Sequence, residues 1–298
     1  MIEQGRFAPS PTGELHLGNA RTGLLAWLWS RSEHGRFVLR IEDLDLPRVR
    51  PKMAEQQQAE LRWLGLTWDE EPLFQSQRTA AYEHAIGTLG DQVYECFCSR
   101  AEIAASASAP QGDEGPRYPG TCRSLTISQR AERRRTREPS LRLRVPDGPL
   151  TFNDELAGPQ SFDTQTMVGD FVLRRADGIF AYQLAVVVDD GAQKITQVLR
   201  GADLLPSTAR QILLYKLLGL PEPRWAHAPL VLSSSGERLS KRDRALSLSS
   251  LMQQGEDPRG IVSRLARLSG LEAPDKVDPA DLVGKFMLAK VSRGAARL

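Results

Sequence analysis

Phe37, Leu39 and Ile41 alternate with Arg40 and Glu42, the two-residue period of a β-strand over Arg36–Glu42. Gly5–Ala8 reads as a second short strand. Between them, Asn19–His34 suits a helix: Leu24, Leu25, Trp27 and Leu28 gather on one broad face, and Gly35 follows as a stop. Pro51 opens a further helix, amphipathic through Ala54–Leu64 and ended by Gly65. Strand, helix, strand, helix in that order predicts a parallel sheet with crossover helices. The pattern then breaks. Ala101–Pro116 is rich in Ala, Ser, Gly and Pro and predicts a surface loop or a partly disordered segment. A basic run follows at Arg130–Arg137, then a strand-like Leu141–Val145. The apolar FAYQLAVVVD (Phe180–Asp189) predicts a strand or helix buried in the sheet domain, and Leu204–Leu218 a helix. Beyond Lys241 the chain reads as helical, punctuated by Pro258, Gly270 and Pro279, and no internal repeat is present.

Composition narrows the class. At 298 residues, 41% hydrophobic and 26% charged, the chain is an ordinary globular protein of one large or two modest domains. A formal charge of +2 does not by itself imply nucleic-acid binding, although local patches can. Glu3 and Arg6 interrupt any secretory pattern, and apolar stretches such as Leu24–Trp29 are too short for a span. Three cysteines do not make a disulfide framework. The expectation is a cytoplasmic protein with no membrane partner, and a monomer.

Four stretches carry candidate chemistry. RFAPSPTGELHLGNAR (Arg6–Arg21) crosses from strand to helix through two prolines, two glycines and His16. A helix starting near His16–Asn19 offers unpaired N–H groups and a positive dipole end to a phosphate, with Gly18 permitting close approach. A purely structural turn explains the same residues, and no Walker A or dinucleotide fingerprint is present. SSSGERLSKRD (Ser233–Asp243) carries Arg238, Lys241 and Arg242 among small residues, which suits a departing pyrophosphate or a solvated basic loop. Cys96, Cys98 and Cys122 supply three thiols where a structural zinc site normally wants four ligands; inert thiols are the alternative. The run RAERRRTRE and the tail cations Arg259, Arg264, Arg267, Lys285, Lys290 and Arg293 suit RNA phosphates or plain solvated faces.

Two of these stretches together resemble the paired signatures of class I aminoacyl-tRNA synthetases. His16-Leu17-Gly18-Asn19 is similar to the HIGH motif, and Arg238-Leu239-Ser240-Lys241-Arg242 to the KMSKS loop. Asn19 stands where the second His would be, and Arg238, Leu239 and Arg242 replace Lys, Met and Ser. RFAPSPTGELHLGNARTGLLAWL, RIEDLDLPR, YQLAVVVDD and VLRGADLL resemble the glutamyl branch of that class, from Arg6 to about Arg242. Within the branch, IEDLDLPR and RGADLL resemble the shortened paralogues, the glutamyl-queuosine tRNA(Asp) synthetases.

The resemblance implies an α/β fold: a Rossmann-like parallel-sheet catalytic domain with a zinc-containing insertion and a small helical carboxy-terminal stem-contact region. The implied division is 1–95 and 180–242 for the catalytic halves, 96–179 for an acceptor-binding-type insertion, and 243–298 for the stem-contact helices. Residues 243–298 are too few for an anticodon-binding domain, so none is expected. It also implies roles. His16, Gly18 and Lys241 would be catalytic, and with Asn19 would bind ATP. Arg6, Ala8, Ser10, Glu42, Tyr182 and Arg200 would bind glutamate; arginines suit its side-chain carboxylate and Glu42 its ammonium group. Cys96, Cys98, Tyr118 and Cys122 would hold one structural zinc. The implied activity is tRNA-independent formation of glutamyl-adenylate from ATP, with Mg2+, and L-glutamate, followed by transfer to queuosine in the anticodon stem-loop of tRNA(Asp). A truncated glutamyl-tRNA synthetase charging a 3′ end, and a catalytically silent RNA-binding paralogue, are the alternatives.

Overall fold

Gln4–Phe7 (β1) and Arg36–Ile41 (β2) pair in parallel, with Gly5 opposite Phe37 and Phe7 opposite Leu39. A parallel pair needs a crossover, which Leu17–Ser32 (α1) supplies. The computed structural model describes residues 2–106, 117–232 and 247–297. After β2 come Met53–Trp63 (α2), Leu73–Phe74 (β3), Thr79–Leu89 (α3), Val93–Cys96 (β4), Arg100–Ser106 (α4) and Ile127–Arg134 (α5). Ser140–Leu143 (β5), Pro149–Asp154 (β6), Gly158–Asp163 (β7) and Val172–Arg174 (β8) follow. Tyr182–Ala192 (α6), Gln197–Gly201 (β9), Leu205–Leu217 (α7), Arg224–Ala228 (β10) and Val231–Leu232 (β11) complete the sheet region. Leu248–Gln253 (α8), Pro258–Leu268 (α9), Pro279–Val283 (α10) and Ala296–Arg297 (β12) form the tail.

The main sheet has seven strands in the order β3-β2-β1-β9-β10-β6-β7, parallel except for the β6–β7 hairpin. β4, β5 and β8 make a separate antiparallel sheet. Helices cover both faces of the main sheet. Phe37, Leu39 and Ile41 share a core with Leu24, Leu25 and Leu28 of α1, and α9 adds Ile261, Val262 and Leu265 by packing on α1. Val38, Val198 and Trp225 face Tyr82, Leu184, Val186, Ile212 and Leu214 on α3, α6 and α7. Each fully buried leucine of this kind contributes about 1.5–3 kcal/mol. Gly5 allows α1 to lie close on β1, because a Cβ there would fall 2.0 Å from Ser30 Oγ.

Several expectations change on contact with the structure. Of the two alternatives for FAYQLAVVVD the helix holds, from Tyr182 onward, with Leu184, Val186 and Val187 in the core and Asp189 and Asp190 buried beside arginines. The first part of Ala101–Pro116 is helical rather than loop: RAEIAAS holds good helix formers, and the Gly and Pro residues come later. Residues 149–163, inside the expected insertion, hydrogen-bond to the main sheet through β6. The tail ends extended, with β12 paired to β11. Among the described residues no helix is long and apolar enough to cross a membrane.

The turn between β1 and α1 is held from below by α2. Gln57 Nε2 donates to Ser10 O at 3.1 Å and Gly13 O at 2.7 Å. Glu60 Oε2 accepts from Leu15 N at 3.2 Å, and its Oε1 from Gln56 Nε2 at 3.0 Å. Glu60 is 1% exposed, and burial, with Glu14 nearby, pushes its carboxyl up to about 7. Stability that depends on an uncharged Glu60 is present below the ordinary value of 4.5 and lost as pH rises through about 7. Glu60→Gln keeps an oxygen for Leu15 N–H and removes the titration. Urea unfolding should therefore show the variant gaining on wild type between about pH 5 and 8, by up to about 3 kcal/mol. A difference that does not vary with pH would contradict a buried, titrating carboxylate.

Candidate active site

His16 is the N-cap of α1. Its Nδ1 accepts from Asn19 N at 3.2 Å, and Asn19 Oδ1 accepts from His16 N at 3.3 Å, which closes a reciprocal capping box. The residue standing at the second His of the motif thus fixes the first one. With Nδ1 an acceptor, the neutral ring carries its proton on Nε2. Ser247 forms an antiparallel bridge with His16, and Leu248 N donates to Leu15 O at 2.8 Å. Val231 lines the same cavity as His16. The described residues on either side of 233–246 therefore both lie at this helix end, while Lys241 and the rest of Arg238–Arg242 lie outside the described residues.

At the carboxyl ends of the strands sits a buried charge cluster. Arg40 Nη1 meets Asp190 Oδ1 at 2.5 Å and Gln193 Oε1 at 3.2 Å, with the arginine fully buried. Arg6 Nε lies 3.6 Å from the same Asp190 oxygen, and Tyr215 Oη donates to Asp190 Oδ2 at 3.1 Å. Burial works against the Asp190 carboxylate, but Arg40 and Arg6 outweigh it and hold it below the usual range. Glu42 reaches Arg40 Nη2 only at 3.5 Å. Burial pushes its carboxyl above the usual range, by more than Arg40 and Arg6 pull it down.

Arg200 on β9 is different, because all its hydrogen-bond partners among the described residues are neutral. Nε donates to His227 Nε2 at 3.0 Å, Nη1 to Gln211 Oε1 at 2.8 Å and Tyr182 Oη at 3.4 Å, and Nη2 to Thr208 Oγ1 at 2.8 Å and Leu204 O at 3.4 Å. The guanidinium also lies 5.2 Å from the centre of the Trp225 ring. His227 Nδ1 meets Asp154 Oδ2 at 2.5 Å. Burial, against the pull of Asp154, brings His227 down to about 4, so it is a neutral acceptor at ordinary pH. Asp154 thus sets the His227 tautomer, and the tautomer sets Arg200.

Arg6, Ala8, Ser10, His16, Gly18, Asn19, Glu42, Tyr182 and Arg200 all line one cavity of about 1190 Å³. Cys96 and Cys98 line its far side, and Tyr118 and Cys122 lie behind them. The sulfurs of Cys96, Cys98 and Cys122 fall within 4.8 Å of one another, a grouping that could hold a metal ion. Cys98 Sγ is 3.6 Å from Cys122 Sγ and 3.8 Å from Tyr118 Oη, while Tyr118 Oη accepts from Cys122 N at 2.7 Å. Burial pushes the Cys96 thiol up, but Tyr118 and Arg142 outweigh it and leave it below its ordinary value.

Several arginines of the basic run after the cysteines form ion pairs. Arg134 pairs with Glu95, Arg135 with Glu132 and Arg137 with Glu102, and Arg133 donates to Cys122 Sγ at 3.7 Å. In the tail, Arg259 pairs with Asp257 and Arg267 with Asp275. Sequence reasoning missed His227, Asp154, Gln211 and Thr208, which belong to no motif. It also missed Asp190, although the charged end of YQLAVVVDD marks it.

The family model described as tRNA synthetases class I (E and Q), catalytic domain, matches residues 4–282. A curated protein of Symbiobacterium thermophilum named glutamyl-Q tRNA(Asp) synthetase is 51% identical, across 99% of this chain and 95% of its own length. One of Nitratidesulfovibrio vulgaris with the same name is 49% identical, across 96% of this chain and 92% of its own. The solved structure of a glutamate tRNA ligase from Elizabethkingia meningosepticum, in complex with its amino acid, superposes with a TM-score of 0.86 at 30% identity. It covers 100% of this chain and 67% of that one.

Proposed function

The chain belongs to the class I tRNA synthetases of the glutamyl and glutaminyl kind and is a ligase, and on that premise we propose that it glutamylates queuosine in tRNA(Asp). One observation carries the choice of amino acid. Among the described residues, Arg200 is a buried cation with only neutral hydrogen-bond partners, and Glu42 is a half-buried carboxylate with only a long ionic contact, both lining one cavity. A ligand with a carboxylate at one end and an ammonium group at the other satisfies both. The names of the close relatives support the acceptor.

ATP lies against the His16–Asn19 end of α1, with Gly18 leaving room for its phosphates and Mg2+ accompanying it. Glutamate places its side-chain carboxylate against Arg6 and Arg200, its ammonium group at Glu42, and its stem along Ala8, Ser10 and Tyr182. The α-carboxylate oxygen attacks the α-phosphorus in line, giving glutamyl-adenylate and pyrophosphate. Lys241 is assigned to the leaving pyrophosphate, whose charge grows in the transition state. A hydroxyl of the queuosine cyclopentene diol then attacks the activated carbonyl, forming the ester and releasing AMP and a proton. Catalysis is positioning and charge stabilisation, with no covalent enzyme intermediate.

Cys96, Cys98 and Cys122 bind one zinc as thiolates, with Tyr118 as the fourth ligand, and the ion is structural. The cluster supports this reading because the three sulfurs lie within 4.8 Å of one another and the Tyr118 phenol oxygen lies 3.8 Å from Cys98 Sγ.

Labelled glutamate and ATP, supplied with tRNA(Asp) that has or lacks queuosine, test the function. Label should enter only the queuosine-containing RNA and be blocked by periodate cleavage of the diol. Charging of tRNA(Glu) at its 3′ end, with none on queuosine-tRNA(Asp), would overturn the assignment. Elemental analysis tests the metal: purified protein should hold about one zinc per chain, and Cys122→Ser should lose it. Full zinc occupancy in that variant would remove Cys122 from the site.

A further inference from the structure

Arg21 lies on α1, one turn beyond the His16 cap, and is 1% exposed. Its Nε donates to Ser269 Oγ at 2.9 Å and its Nη1 to Pro229 O at 2.5 Å. Both acceptors are neutral, and no carboxylate pairs with it among the described residues. Nη2 is buried and has no hydrogen-bond partner among the described residues. Burial alone accounts for the guanidinium being pulled down to about 10. A buried cation in this state is costly: several kcal/mol of desolvation stand without an opposing charge. Arg40 on β2, the other arginine as deeply buried among the described residues, is paired at 2.5 Å with Asp190.

The cavity supplies a reason for the difference. Arg21 lines it, together with His16, Gly18 and Asn19 of the same helix and Pro229, Leu230 and Val231 of the opposing segment. The capped amino-terminal end of α1 already favours negative charge there. Arg21 therefore brings a fixed, desolvated donor to the part of the cavity where an anion is most stable. A phosphate oxygen is the acceptor that a guanidinium with an unpartnered Nη2 best matches.

We propose that Arg21 binds phosphate in the nucleotide site, its Nη2 donating to an anionic oxygen of bound ATP; this rests on reading the cavity as an ATP site. Arg21 is then distinct from Arg6 and Arg200, which face the amino acid. Ser269 and Pro229 hold its stem, and a small turn of the guanidinium brings the enclosed Nη2 to the phosphate. The same contacts join the tail helices to α1, so the site and the tail share one residue.

Calorimetric titration with ATP and with adenosine tests this on the full chain. Arg21→Met should bind ATP about 10–100-fold more weakly than wild type while adenosine binding is unchanged. Its thermal midpoint should equal or exceed that of wild type, because an apolar side chain replaces an unpaired buried charge. Arg21→Lys, which keeps the charge, should lose less ATP affinity than Arg21→Met. Equal loss for ATP and adenosine would place Arg21 at the base or ribose and overturn the proposal. Unchanged ATP affinity, or failure of both variants to fold, would make Arg21 a structural pin and overturn it as well. The readout is binding, so it decides about Arg21 even if wild type forms no glutamyl-adenylate, which is the result that would defeat the wider functional reading.

Discussion

The contact between Arg40 and Asp190, 2.5 Å long and closed to solvent, is the interaction on which the site depends. It ties β2 to α6 and draws in Arg6 from β1 and Tyr215 from α7. Removing one partner of such a pair costs about 3–5 kcal/mol, because the other charge remains buried. The contact therefore fixes four elements at the carboxyl ends of the strands, where open α/β sheets bind their ligands. Burying these charges also leaves Glu42 in a dry place, beside Arg40 but not closely paired with it.

Around that contact the buried charges divide into two kinds. Arg40 and Asp190 satisfy each other and serve the fold. Among the described residues, Arg200 and Arg21 meet only neutral hydrogen-bond partners, and both line the cavity. Departures from full charge pairing inside a well-packed protein concentrate where a ligand completes the pairing. The neutrality of His227 belongs to the same design. A charged imidazole would repel Arg200, and Asp154 presents the neutral ring with its acceptor nitrogen toward the guanidinium.

Much of this was legible in the chain. The alternation at Phe37, Leu39 and Ile41 identified β2, and Gly35 marked the end of the preceding helix. The HLGN stretch identified the helix end, and the reciprocal capping of His16 and Asn19 explains physically why an Asn serves at that position. The partners of Arg200 were not legible. His227 and Asp154 lie 73 residues apart, and only the pairing of β10 with β6 brings them together. Arg21 looked like an ordinary helix residue, since an isolated cation has no periodic signature and its burial depends on the tail packing over α1. The FAYQLAVVVD stretch stayed ambiguous for a related reason: a segment apolar on all sides has the same pattern as strand or helix.

The central claim is that oppositely charged, incompletely paired groups facing one cavity select a dicarboxylic amino acid. Calorimetric binding of glutamate and of glutamine to the same protein measures it directly. Glutamine has nearly the same shape and lacks only the side-chain charge. Glutamine should bind about 100-fold or more weakly, because it leaves the desolvated Arg200 without an anion. Comparable affinities for the two would contradict it.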